Sequence, residues 1–234
     1  MIPWHPDTKI IQQQKWLWAI FKPCNVLSHP NHCHINPKSI LQAHYDFEHE
    51  AYILPDNTKI YLLNRLDSPT SGIILLSTDV LLAQQIKNLF RQHQVHKVYW
   101  AIVKKTFPEN SLIWQDFLKI NKNINNVRSQ CSSRAQGVFC KTKARLLKPI
   151  NLPFSKLSLI QLEPLTGRTH QLRVQCAHHG FPILGDKTYG DFAFNKALKV
   201  KRLFLHAYAI RLNLPHFNFE ATCVPDFEPY IKNA

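Results

Sequence analysis

A chain of 234 residues with 45% apolar and 19% charged residues can bury a sizeable core, which argues against wholesale disorder. Its 29 Lys and Arg against 15 Asp and Glu leave a net charge of +14, with 13 His in addition, and point to an anionic partner, nucleic acid or a membrane surface. The membrane option is weak, because the most apolar early run, Trp16 to Phe21, falls far short of the ~20 residues a spanning helix needs and no signal peptide precedes it.

In chain order, residues 10–27 read as a strand entering a turn at "FKPCNV", where Pro23 fixes one dihedral and Asn25 tolerates positive φ. Residues 29–57 are polar, His-rich and broken by Pro30, Pro37 and Pro55, and carry little signal. "KIYLL" (59–63) and "GIILLS" (72–77) are short apolar runs with turn residues between them, as buried strands require. Leu82, Ile86, Leu89 and Phe90 then recur at helical spacing behind Thr78 and Asp79, both good N-cap types, which predicts an amphipathic helix over about 79–92.

"KVYWAIVKK" (97–105) returns to strand character. Residues 119–148 are basic and rich in Asn and Ser; they fit either a hairpin carrying a nucleic-acid contact or a solvated loop. "KLSLIQLEPL" (156–165) is a further strand, followed by helix start and stop signals in "TGRTHQLRVQCAHHGFP", with Gly180 and Pro182 at the stop. Two strands, about 202–215 and 217–224, close the chain. The expected fold is one α+β domain over residues 1–234, built on a mixed, mostly antiparallel sheet with flanking helices and loops.

Taken singly, the chemically interesting residues have ordinary readings. Asp67 in "NRLDSPTSG" suits a turn, Tyr99 suits a half-buried strand position, and Arg168 and Arg173 suit a solvated helix face. Six Cys without a C-x-x-C read as free thiols of a reducing cytoplasm. His29, His32, Cys33 and His34 could interest a metal, but side chains alternate along an extended segment and no second ligand pair stands at the usual spacing, so no metal is expected.

Taken together and in order, "RLDSPTSG" (65–72), "KVYWAIV" (97–103), "LTGRTHQLRVQCAHHGFPILGDKTYG" (165–190) and "RLFLHA" (202–207) resemble the RluA-type pseudouridine synthases. "FKPCNVLSH" (21–29) is similar to that family's Lys-Pro-x-Gly opening, and the likeness runs from about residue 15 to 228. The resemblance implies the pseudouridine synthase catalytic fold and an enzyme that isomerises specific uridines of ribosomal or transfer RNA without a cofactor. It gives Asp67 the essential catalytic role and places Tyr99 beside the uracil. It has Arg173 hold the Asp67 carboxylate ionised, and Arg65 help displace the target base.

Lys97, Arg168 and His170 are the further substrate-binding candidates, with Lys119, Lys122, Arg128 and Arg134 as loop contributors. Two positions depart from the family pattern: Asn64 stands where a His usually precedes Arg-Leu-Asp, and Asn25 where a Gly follows Lys-Pro-x. No N-terminal S4-type RNA-binding domain is expected, and neither is a membrane or an obligate protein partner; the implied protein is a cytoplasmic monomer. Two rivals remain at this stage. One is a catalytically silent RNA-binding relative or RNA chaperone, and the other is a metal-dependent nucleic-acid hydrolase using the His29–His34 cluster with Asp46, Glu48 and Glu50.

Overall fold

The computed structural model describes residues 2–32, 35–123 and 126–227, except for the side chains of residues 122, 123, 126 and 127. Cys33 and His34 of the His-rich cluster, and the side chain of Lys122, therefore lie outside the described residues. The chain divides into two compact units, Met1–His96 with Ala207–Pro225, and Lys97–His206 with the residues from Asp226 onward.

The first unit is a sheet with one helix packed on it. Its strands are β1 (Lys9–Gln14), β2 (Leu17–Lys22), β3 (His44–Asp46), β4 (Ala51–Ile53), β5 (Lys59–Leu62) and β6 (Ser71–Ser77), then most of β12 (Leu205–Leu214) and β13 (Phe217–Thr222). β3, β4, β5, β6 and β12 follow one another across the sheet, β2 pairs antiparallel with both β1 and β6, and β13 pairs antiparallel with β12. β6 is buried at all seven positions, which is why its sequence is a continuous Ile73–Leu76 run rather than an alternation. Gly72 has φ +120, and a Cβ there would lie 2.4 Å from the Ala207 carbonyl oxygen, so only glycine lets β6 approach β12 this closely.

Helix α1 (Val80–Arg91) begins where the sequence predicts, with the Asp79 carboxylate accepting from the Leu82 N–H at 2.7 Å. Its Ala83 and Ile86 enter a core with Leu17, Ile73, Leu75, Ile210 and Phe219. The single strand expected over residues 10–27 is instead a hairpin. Lys15 at φ 49 makes the turn between β1 and β2, and neither Gly nor Pro marked it. β3 and β4 are three residues each, too short to leave a periodic trace in sequence.

In the second unit the strands are β7 (His96–Lys104), β8 (Leu112–Asn123), β9 (Asn126–Ser132), β10 (Val138–Leu152) and β11 (Ser155–Pro164). They run β7-β11-β10-β8-β9, with each of these neighbouring pairs antiparallel. The basic stretch 119–148 is thus strand for most of its length, within β8, β9 and β10. On β10 its buried residues Cys140, Thr142 and Ala144 alternate with Lys141, Lys143 and Arg145, which face outward. Both faces of β7 and β11 are covered. Ala101, Val103, Ile160 and Leu162 pack on one side with Leu172, Cys176 and Leu203, while Ile102, Leu157 and Leu159 pack on the other with Leu184, Phe204 and Phe227.

Helix α2 (Gln171–His178) ends as the Gly180–Pro182 signal predicts. The Gly180 N–H donates to Ala177 O and the Phe181 N–H to Cys176 O, a Schellman cap with Gly180 at φ 82. Six consecutive residues, Gln171–Cys176, are buried, so this helix has no solvated stripe and its polar side chains must find partners inside. A third helix, α3 (Phe192–Ala197), is one the sequence did not announce; Asp191 caps it by accepting from the Phe194 N–H. The predicted α+β class, a largely antiparallel sheet with few helices, is what the chain adopts.

Candidate active site

Arg65 and Asp67 lie in the first unit, in the connection between β5 and β6. The backbone here is held at nearly every step by side chains from elsewhere in the same unit. The Asn64 side-chain oxygen accepts from the Leu75 N–H at 2.7 Å, extending the β5–β6 ladder by one side-chain bond. The Ser28 hydroxyl donates to Leu66 O at 2.8 Å and accepts from Leu66 N at 3.0 Å. Within the turn itself, the Thr70 N–H closes on Asp67 O at 2.9 Å.

The far side of the turn is held by the "FKPCN" segment. Lys22 is fully buried, and its ammonium donates to Pro23 O, Val26 O and Ser68 O at 2.9, 2.7 and 2.9 Å. A buried cation without hydrogen bonds would cost several kcal/mol; three carbonyl dipoles let this one tie residues 22–26 to residue 68. The Asn25 N–H adds a bond to Ser68 O, with Asn25 at φ 65, the left-handed geometry its sequence position predicts. Cys24 Sγ donates to Pro69 O at 3.0 Å. Lys22 and Ser28 are thus positioning residues to which the sequence reading gave no role, although both sit in the quoted "FKPCNVLSH". Asn64 acts through its backbone-bridging amide.

Arg65 is exposed, and its Nη1 stands 3.5 Å from His29 Nε2. The His29 ring stacks on Tyr45, with centroids 4.9 Å apart, and meets Phe47 edge-on. This gives His29 a packing role among aromatic rings, and burial pushes its imidazolium pKa down.

Lys97, Tyr99, Arg168, His170 and Arg173 all lie in the second unit. Tyr99 sits on β7 opposite Leu162 of β11 and packs against the core beneath it. Lys97 Nζ has the Thr166 carbonyl at 3.4 Å, and burial pushes its ammonium pKa down to about 8. The Thr166–His170 loop is organised by Gln171, whose side-chain oxygen accepts from the Arg168 N–H and the Thr166 hydroxyl. Arg168 Nε reaches Phe139 O at 3.3 Å.

His170 is left-handed at φ 55 and opens α2 without capping it through its side chain. Its Nδ1 stands 2.8 Å from the Tyr189 hydroxyl. That hydroxyl also accepts from the Ser129 N–H, which fits Tyr189 donating to the imidazole.

The solvated-face reading of Arg173 does not hold, since the residue is only 5% exposed. Its Nε and Nη2 donate to the two carboxylate oxygens of Asp186 at 2.8 and 2.9 Å, and the guanidinium lies over the Tyr189 ring at 5.1 Å. Burial raises the Asp186 pKa. The Arg173 bonds and charge, with the Thr188 and Tyr189 N–H groups, outweigh this and hold it below the usual carboxylate value. Asp186 and Tyr189 hold the candidate residues Arg173 and His170, a role the sequence did not announce, though both fall in the quoted "GDKTYG".

Comparison with known proteins bears on both units. The sequence profile described as RNA pseudouridylate synthase matches residues 17–178. The chain is 31% identical over 217 residues to the ribosomal large subunit pseudouridine synthase D of Borreliella burgdorferi, covering 90% of this chain and 63% of that protein. It is 29% identical over 221 residues to the tRNA pseudouridine synthase C of Vibrio cholerae, covering 89% and 86%. Among solved structures, human RNA Pseudouridylate Synthase Domain Containing 1 shares the fold at a TM-score of 0.75 and 20% identity, over 95% of this chain and 85% of that one. Human RNA Pseudouridylate Synthase Domain Containing 4 matches at 0.68 and 25%, over 93% and 89%. With its motifs in the family's order and the profile spanning more than half its length, the chain belongs to the RNA pseudouridylate synthase family, in its RluA branch.

Proposed function

We propose that this chain isomerises specific uridines of ribosomal or transfer RNA to pseudouridine, in the cytoplasm and as a monomer, with Asp67 as its catalytic carboxylate. The reaction breaks the N1–C1′ bond and forms a C5–C1′ bond. The proton on C5 leaves for solvent and N1 gains one, so no net oxidation occurs and no redox partner is called for. The supporting observation is the turn around Asp67. Backbone groups at Leu66, Ser68 and Pro69 are held by Ser28, Lys22, Asn25 and Cys24, so the carboxylate is presented from a rigid mount. In this reading Tyr99 stacks beside the uracil and Arg173, aligned by Asp186, serves as the partner of the Asp67 carboxylate. Both roles rest on the family pattern.

Arg65, Lys97, Arg168 and His170 are the proposed RNA contacts, and the net charge of +14 supplies the salt-dependent attraction that offsets extruding a stacked base. The test is tritium release from RNA labelled at uridine C5, using ribosomal and transfer RNA from cells lacking this protein. Release in proportion to new pseudouridine is expected. Tight RNA binding with no release would instead identify a silent RNA-binding relative.

Lys97 adds a pH-dependent expectation. Its ammonium pKa is lowered to about 8, so in the free protein the positive charge is present below that pH and is lost as pH rises through it. RNA affinity should therefore be nearly level from pH 6.5 to 7.5 and fall by about three- to tenfold toward pH 9, about 0.7–1.4 kcal/mol, the net worth of a typical hydrogen bond. Lys97→Met should bind as weakly at pH 7 as the natural chain does at pH 9, with no further loss on raising the pH; filter binding at constant ionic strength measures both.

A further inference from the structure

Asp116 on β8, Cys131 on β9 and His178 at the last turn of α2 bring a carboxylate oxygen, a thiol sulfur and an imidazole nitrogen within 4.8 Å of one another. They are the one such grouping of His, Cys and acidic side chains among the described residues. Three separate elements of the second unit supply them, so the tertiary fold brings them together rather than a sequence motif. None belongs to the machinery assigned above.

The carboxylate is oriented before any ligand arrives. Gln175 Nε2 and His179 Nε2 both address Asp116 Oδ2, at 2.6 and 3.0 Å, while Oδ1 faces His178 Nε2 at 3.8 Å. His179 is itself fixed by stacking on Trp114, with ring centroids 4.9 Å apart and planes 5° from parallel. Gln175 is fixed by accepting from the Thr142 hydroxyl at 2.6 Å. Asp116 thus has supporting partners of the kind that orient metal-binding carboxylates.

In a tetrahedral site with bonds of roughly 2.0–2.3 Å, ligand atoms stand about 3.3–3.8 Å apart. The Asp116–His178 separation of 3.8 Å stands at the top of that range, and Cys131, within 4.8 Å of both, needs to approach by up to about 1.5 Å. Cys131 and His178 also line a cleft of about 810 Å³, together with Asn121, Arg128 and Tyr189, which leaves an open side for a water or another donor in the fourth position. The donor set is mixed, with one oxygen, one nitrogen and one sulfur.

We propose that Asp116, Cys131 and His178 form a site for a borderline divalent transition-metal ion, zinc being the best match to the mixed oxygen, nitrogen and sulfur donors. The isomerisation has no step that needs a metal. The ion acts as a clip that ties edge strand β9 to the C-terminal end of α2, the helix that carries Arg173. Binding displaces the Cys131 thiol proton to solvent, and no electron is transferred.

The test uses the full chain without a polyhistidine tag, stripped with a chelator and titrated with Zn²⁺ against a chromophoric competitor, then with Co²⁺. Uptake of about one equivalent is expected, with a near-ultraviolet thiolate-to-cobalt band. Cys131→Ser should abolish that band, and Cys131→Ser and His178→Gln should each weaken Zn²⁺ binding by roughly tenfold or more.

Cys131 is partly exposed and His178 exposed, so both variants should unfold at the metal-free midpoint of the natural chain. Zn²⁺ should raise that midpoint more in the natural chain than in either variant. Should Asp116→Asn be needed as a third variant, it should lose Zn²⁺ binding with its backbone circular dichroism unchanged. Absence of uptake, unaltered affinity in Cys131→Ser, or loss of uptake on His29→Ala with His32→Ala would each overturn the assignment.

Discussion

Asp67→Ala should lower the single-turnover rate of pseudouridine formation by about 10³-fold or more and leave RNA affinity within about threefold. The two numbers separate because Asp67 is proposed to act on the reacting nucleotide, while Arg65, Lys97 and Arg168 are the proposed phosphate contacts. The fold should survive the change. The bonds that hold the turn run from Lys22, Cys24, Ser28 and Asn64 to backbone groups, and the Thr70 N–H bonds to the main-chain oxygen of residue 67, which alanine retains.

The change in unfolding free energy should accordingly stay within about 1 kcal/mol, as for substitutions away from a core. Single-turnover tritium release, filter binding and urea unfolding measure the three quantities. Turnover within tenfold of the natural chain would remove Asp67 from the chemistry.

The largest stability effect is expected at Asp186. Asp186→Ala removes the carboxylate that receives both Nε and Nη2 of Arg173, in a pair whose members are 1% and 5% exposed. Breaking one half of a buried ion pair typically costs about 3–5 kcal/mol, because the remaining charge keeps its desolvation penalty without its compensation. The Thr188 and Tyr189 N–H groups lose their acceptor as well. Turnover should also fall, since Arg173 would no longer be aimed.

The pH dependence has a definite sign. The folded pKa of Asp186 lies below its unfolded value, so its stabilisation is fully present above the unfolded value of about 3.9 and is lost as pH falls through the folded one. Urea unfolding of the natural chain should therefore show an acid-labile component that Asp186→Ala lacks, and parallel acid loss in both proteins would contradict this.

How much of this could be seen in the sequence depends on the element. α1 was legible to within a residue at each end because its cap, its apolar spacing and its exposure all follow local rules. α2 was legible only through its ends: the Schellman glycine is a local signal, but a helix buried all round has no stripe to detect. The β1–β2 turn was invisible, since Lys15 in a left-handed conformation carries no turn signature.

At the site, the family motifs pointed to Asp67 and Arg173, whereas the parts they depend on were hidden. Lys22, Ser28 and Asp186 act through contacts with residues 13 to 46 positions away, and no local pattern reports a partner at that distance. Asn64 is the instructive case: read as a departure from the family pattern, it serves as one rung of the β5–β6 ladder. The clustering of Asp116, Cys131 and His178 likewise arises only when β8, β9 and α2 are brought together.

The first unit is discontinuous in the chain, and this has a bearing on how the protein is born. Ile210, Leu212 and Phe219 arrive more than a hundred residues after Leu17 and Ile73, with which they share a core. A ribosome adding about 5–20 residues per second exposes the early strands for several seconds before those partners emerge. The intervening segment, Lys97–His206, contains nearly all of the second unit and can collapse first. The second unit can thus fold before the first, and until Ile210, Leu212 and Phe219 emerge the N-terminal strands lack part of the core that would cover them.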